Sequence, residues 1–192
     1  MAGLSKLRAV NIALENIGES PVSTLTGSGD AFVVTATSIL EETVRDICEE
    51  LWNFNRDDKY ALTPDGSGNI TIASNMISVD AHYTYLDYSV RQGMLYDVYN
   101  QTFVFDDTVY ADVIWEFDYD DLPYHVRKYV AIRAARVFAR RILGDAGGDR
   151  LTEKDEVRAL ANAKRNDTRA QDATIHNEYT SRLYSLKTRS PR

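Results

Sequence analysis

The sequence has little cysteine and no long apolar run. Its 192 residues contain one cysteine, so no disulfide can form within the chain and a buried core must hold the fold. No stretch approaches the ~20 consecutive apolar residues that a membrane-spanning helix requires. The first 18 residues mix charged and apolar positions like an amphipathic helix and lack the apolar run of a signal peptide. We therefore expect no membrane partner and a reducing, cytosolic compartment, or export by a route without a signal peptide.

Residues for metal or nucleophilic chemistry are also scarce. The three histidines, His82, His125 and His176, fall in three different predicted elements, whereas a zinc site needs three or four convergent ligands. Cys48 lies on the apolar stripe of an acidic helix, which favours a core position over a reactive thiol. The sequence therefore predicts no cofactor, no metal and no catalytic residue.

Positive charge is scarce in the first two thirds of the chain. Residues 1–122 carry 6 Lys and Arg against 21 Asp and Glu, whereas residues 123–192 carry 16 against 8. The formal net charge of −7 thus hides one strongly acidic and one basic part. A molecule with two such ends tends to meet charged partners, and copies of itself are among them. The charge pattern indicates a component of an assembly before it indicates an enzyme.

Helical periodicity occupies both ends of the chain. We predict a first helix that Gly18 ends, and a second that begins at the N-cap Asp30 and runs to about residue 51. A third follows Pro123 and ends at Gly144. Its predicted buried stripe is Val126, Val130, Ala134, Val137 and Phe138.

A fourth helix is predicted from Thr152, paired with Asp155 in a capping arrangement, to about residue 186. Residues 162–172 in its middle are almost wholly polar. One core cannot hold a long helix with a polar middle, so the helix either breaks there or packs on another chain.

Between the helices the period changes to two. Over residues 111–118 an apolar face alternates with a mostly acidic one, which predicts a half-buried strand, and we expect four to five antiparallel strands between residues 54 and 119. Residues 94–99 and 102–105 are predicted to pair through a turn near Asn100-Gln101. The predicted fold class is α+β: residues 1–52 and 120–192 form a mainly α-helical bundle of four helices, into which an antiparallel β-rich subdomain, residues 53–119, is inserted.

Basic residues are the candidate partner-binding positions. They form a stripe on the third helix and a group near the C-terminus: Arg133, Arg136, Arg140, Arg182, Lys187, Arg189 and Arg192. Two other functions stay open. The three helix arginines suit a nucleic-acid-binding module, and Glu116 with Asp118 suits a hydrolase that uses an acidic pair. For the carboxylates near Pro123 we favour a structural role, in which Asp120 or Asp121 caps the third helix.

Several short segments occur in the order seen in one known family. They are Ala9-Val10-Asn11, Ile17-Gly18-Glu19, Pro21-Val22-Ser23-Thr24-Leu25, Trp52-Asn53-Phe54-Asn55, Asp118-Tyr119-Asp120-Asp121-Leu122-Pro123 and Arg141-Ile142-Leu143-Gly144. With these segments the chain resembles the tail tubular protein A family, the gatekeeper or head-to-tail adaptor subunits of short-tailed bacteriophages. The segments cover nearly the whole chain, and their common order is the main support for the resemblance.

The resemblance implies a structural virion protein at the head–tail junction, assembled in the host cytoplasm, and no enzymatic activity. Its implied partners are further copies in a dodecameric ring, the portal protein, the tail nozzle (tail tubular protein B) and a tail fibre. Genomic DNA is expected to pass through the lumen without sequence-specific binding. On this basis we expect the strand region or the second helix to supply an acidic lumen wall, and the basic helices to dock on neighbouring proteins.

Overall fold

The computed structural model describes residues 3–27, 29–50, 52–83, 85–144 and 151–169, and it confirms the α+β fold class. The named helices are α1 (Lys6–Ile17), α2 (Ala31–Glu49) and α3 (Tyr124–Leu143), and α4 covers residues 153–169. The strands are β1 (Arg56–Leu62), β2 (Met76–Ala81), β3 (Tyr88–Arg91), β4 (Met94–Asp97) and β5 (Val109–Trp115). The predicted extension of α4 to about residue 186 lies outside the described residues. Within those ranges, no helix is long and apolar enough to cross a bilayer.

The ends of α1 follow from local and distant capping groups. Ser5 accepts a hydrogen bond from the Arg8 N–H, and Gly18 ends the helix in the left-handed conformation at φ 88°. Asp120 Oδ1 accepts from the Lys6 N–H at 2.9 Å. The prediction that Asp120 or Asp121 caps the third helix is therefore wrong, because Asp120 caps α1 and the N-cap of α3 is Pro123, without a side-chain hydrogen bond.

The four helices share one apolar core. Its largest fully buried side chains are Tyr129 and Phe138 of α3 and Trp52, which follows α2 in the chain. Burial of each such side chain contributes about 1.5–3 kcal/mol, so this core carries much of the stability. One detail differs from the predicted stripe of α3: Val137 is 36% exposed.

The strands form a second apolar cluster. The three-stranded antiparallel sheet has the order β1-β5-β2, and β3 and β4 form a separate hairpin. Alternate residues of β5 point into this cluster, as the period of two predicts. The buried members are Leu62, Ile70, Ile72, Val79, Leu95, Val109, Ala111 and Val113. The predicted domain boundaries at 52/53 and 119/120 stay a prediction.

The predicted pairing partner of the strand at residues 94–97 is wrong. Residues 94–97 pair with β3 through a turn at Gln92-Gly93, and not with residues 102–105. At the predicted position there is one isolated bridge, between Asp97 and Thr102. Both turn residues have positive φ, 55° and 73°, which is the backbone of a type I′ turn.

A buried amide joins the helices to the sheet. Asn55 Nδ2 donates to the Cys48 carbonyl at 2.6 Å, just before the end of α2, and to the Trp115 carbonyl at 3.2 Å, where β5 ends. The side chain therefore fixes where the β region begins relative to the helical core.

Candidate functional site

In the predicted basic stripe of α3, two arginines form ion pairs and the third is exposed. Arg133 Nη1 donates to the Tyr129 hydroxyl at 3.0 Å and lies 3.8 Å from Glu50. Arg136 pairs with Glu156 of α4, and its side chain is only 11% exposed. Arg140 is exposed, and it has no carboxylate within 4.0 Å in the described part of the chain.

Two of the three arginines thus hold helices together, because their partners lie on α4 and at the end of α2. The other predicted partner-binding residues lie outside the described residues; they are Arg182, Lys187, Arg189 and Arg192.

The docking of α4 rests on contacts that the sequence analysis missed. Lys164 Nζ donates to Glu50 at 3.2 Å and lies 3.4 Å from the centre of the Trp52 ring. Asp167 accepts from the backbone and side-chain nitrogens of Asn53 at 2.9 and 3.0 Å. The residues in each of these contacts are more than a hundred positions apart in the sequence, so no local sequence pattern predicts the contacts.

A second basic row lies on the outer face of α4, and the sequence analysis did not identify it. At 3.6 residues per turn its members fall within about 60° of arc and span about 22 Å. All four are exposed, and none has a carboxylate within 4.0 Å among residues 3–169 as far as they are described. The members of this outer row are Lys154, Arg158, Arg165 and Arg169. Their spacing of four, seven and four residues is the signal that identifies them.

The β region presents the opposite charge. Residues 53–119 contain eleven Asp and Glu against three Lys and Arg. Each of the three cations is engaged within the region. Arg56 pairs with Asp58, Lys59 lies over the Tyr110 ring, and Arg91 lies 3.8 Å from the centre of a tyrosine ring.

An acidic cleft opens at one end of this region. It has a volume of about 500 Å³, and the carboxylates on its rim are Asp65, Asp106 and Asp107. Val104 and Phe105 supply apolar surface, and Val104 is 54% exposed. None of the three rim carboxylates has a Lys, Arg or His nitrogen within 4.0 Å in the ranges described.

The proposed acidic pair lies where the sheet meets the helices. Glu116 and Asp118 line a cleft of about 480 Å³ together with Asn75. Glu116 Oε1 lies 3.2 Å from Arg45 Nε of α2, so this carboxylate forms an ion pair between the sheet and a helix. In the described ranges, no group of three or more His, Cys, Asp or Glu side chains is placed to hold a metal ion.

The remaining titratable side chains considered in the sequence are the cysteine and two of the histidines, and each is buried or partly buried in the fold. Cys48 is fully buried as predicted, and burial raises the pKa of its thiol. His82 Nδ1 lies 2.7 Å from Asp112 Oδ1. The backbone N–H of Lys59 is the main cause of the lowered pKa of Asp112, and His82 adds to it. Burial lowers the pKa of His125.

Comparison with known proteins agrees with the resemblance seen in the sequence. The family model described as tail tubular protein matches residues 7–173. Tail tubular protein A of Klebsiella phage KP34 is 32% identical over 147 residues, which are 76% of this chain and 76% of that protein. The match spans both apolar clusters and extends through the described part of α4. The chain therefore belongs to the tail tubular protein family.

Proposed function

We propose that the protein is a subunit of the head-to-tail connector of a short-tailed bacteriophage. It forms a dodecameric ring between the portal protein and the tail nozzle, and DNA passes through the lumen. Family membership supports a structural role in the phage tail, and the proposed role needs no catalysis. The observation that carries the proposal beyond the family is the separation of charge between the β region and the outer faces of α3 and α4.

The acidic β region suits the wall of a DNA channel. Each phosphate that a protein neutralises adds affinity for DNA, and this affinity slows passage. Residues 53–119 contain eleven Asp and Glu against three Lys and Arg, so the surface offers DNA a net negative field.

The basic surfaces suit protein partners of opposite charge. We propose that Arg140, which is exposed on α3, acts with the four C-terminal basic residues named above in contacts with the portal protein, the nozzle or a tail fibre. Arg133 and Arg136 would support this surface indirectly, because they fix α3 against its neighbours.

The test is assembly with the portal protein of the same phage, followed by electron microscopy and native mass measurement. We expect ring formation on the portal, and we expect binding to weaken as NaCl rises from about 0.05 to about 1 M, because salt screens exposed charges. Arg140→Glu should weaken portal binding, whereas Lys128→Glu, at another exposed position of α3, serves as the matched control. Binding that is unchanged by salt and by Arg140→Glu contradicts electrostatic docking. Binding to duplex DNA that depends on Arg140 would favour the DNA-binding alternative.

A further inference from the structure

We propose that the outer row of α4 docks into the acidic cleft of a second copy of this chain. The inference rests on the proposed ring and names the surfaces that join neighbouring subunits. The row on one subunit and the cleft on the next would form a heterologous contact, the type that closes into rings.

The outer row has no ion-pair partner in the part of its own chain that the structure describes. Its four cations lie on one exposed face and find no carboxylate within 4.0 Å in the ranges described. The inner face of α4, by contrast, contacts the protein through Ala159, Ala163 and Asp167, which are buried. Val157 lies beside the row and is 58% exposed. The outer face of α4 therefore offers a line of positive charge with an apolar side chain next to it.

The cleft is the matching surface, and its loop is preorganised. Asp65 Oδ1 accepts hydrogen bonds from the backbone N–H groups of Ser67 and Asn69 at 2.8 and 3.0 Å. Gly68 has φ 81°, and a Cβ there would lie 2.7 Å from Val104 Cγ1, so the loop packs closely against the opposite wall. The Asp65 carboxylate is thus held in place before a partner arrives.

Charge and apolar surface are complementary between the two. The row brings up to four cations to a rim of three carboxylates, and Val157 can cover Val104. The apolar contact between Val157 and Val104 favours a protein partner over DNA, because a phosphate backbone offers no apolar counterpart to an exposed valine. The same chain carries both surfaces, so a second copy meets both requirements.

The experiment uses two one-sided variants of the full chain. Arg158→Glu with Arg165→Glu disables the row, and Asp106→Lys with Asp107→Lys disables the cleft. For each variant alone we expect the Kd of self-association to rise by about tenfold or more, as measured by sedimentation at low salt. An equimolar mixture should regain self-association, because the intact row of one variant meets the intact cleft of the other, and the two substituted surfaces carry opposite charges at the exchanged positions. The chain with all four changes should regain part of its self-association, because the four exchanged positions attract each other again while Lys154, Arg169 and Asp65 keep their original charges.

Controls separate charge from folding. Lys128→Glu and Asp87→Lys reverse exposed charges outside the two surfaces and should leave assembly unchanged. Urea midpoints report folding. The milder pair Arg158→Gln with Arg165→Gln replaces the row reversal if that variant fails to fold, and Asp106→Asn with Asp107→Asn does the same for the cleft.

Three outcomes would overturn the inference. Rings of unchanged stability in both one-sided variants would overturn it and leave the proposed function standing. Duplex-DNA binding that disappears in the row variant, with assembly unchanged, would assign the row to DNA. A wild-type chain that does not self-associate, with or without portal, would count against both proposals.

Discussion

Buried amide side chains fix the relative positions of the helices. Asn16 is 4% exposed, and its Nδ2 donates to the Ala135 carbonyl of α3 at 3.1 Å. Its Oδ1 accepts from the Leu151 N–H at 2.9 Å, just before α4 begins. One side chain of α1 therefore contacts two other parts of the helical core. A buried polar group without its partner is costly, so this pairing favours a single arrangement.

Replacement of Asn16 by alanine should destabilise the protein by about 2–3 kcal/mol. The substitution removes the buried hydrogen bond to the Ala135 carbonyl and leaves the partly buried Leu151 N–H without its acceptor, and these losses are costly. The free energy of unfolding in urea measures the effect. Asn162→Ala, on the exposed surface of α4, is the matched control and should change stability by less than about 0.5 kcal/mol. Equal effects of the two substitutions would contradict the role given to Asn16.

The Cys48 thiol should be protected from alkylation in the folded protein. It is fully buried and its pKa is raised mainly by that burial, so both access and thiolate formation are suppressed. Mass measurement after iodoacetamide treatment should show labelling only when a denaturant is present. Rapid labelling of the native protein would mean that α2 opens locally or that the thiol is exposed.

At the scale of elements, local signals located the helix ends well and the hairpin badly. Gly18 and Asp30 cap α1 and α2 as predicted, because caps depend on residues one to three positions away. The β3–β4 turn was missed because Gln92-Gly93 lacks the Asn-Gly or Asp-Gly pair that marks a type I′ turn. The cap that Asp120 provides for α1 bridges 114 residues, and no local pattern identifies it.

Gln92→Asn should therefore stabilise the protein by about 0.5–1 kcal/mol. Asparagine adopts the left-handed conformation more readily than glutamine, and the side chain at this position is exposed. The shift in the thermal or urea midpoint measures it. Gly93→Ala in the same turn should have the opposite sign, because φ is 73° while the space around the added Cβ is open. A destabilised Gln92→Asn protein would contradict the assigned turn type.

For the whole molecule, the ionisable groups set how stability depends on pH. The pKa of His125 is lowered by burial, so its protonation favours the unfolded chain, and stability should begin to fall below about pH 6.5. The pKa values of Asp97 and Asp112 are lowered mainly by backbone N–H donors. Their contribution is complete above the unfolded pKa of about 3.9 and is lost as pH falls through the folded values.

The urea midpoint measured from pH 8 to pH 2 should therefore fall in two stages. His125→Gln should remove much of the upper stage, and Asp112→Asn should reduce the lower stage while lowering stability at neutral pH. Profiles parallel to that of the wild type in both variants would show that other groups control the acid transition.

The sequence by itself determined the α+β class, the order of helices and strands, the buried Cys48 and the separation of charge. These properties depend on composition and on periods of two to four residues, which the chain displays directly. Only the tertiary structure decided which charges are free. In the folded chain Arg133 and Arg136 form ion pairs, whereas the outer row of α4 is exposed. Such pairs form between residues that folding brings together from distant parts of the chain, so the sequence does not display them.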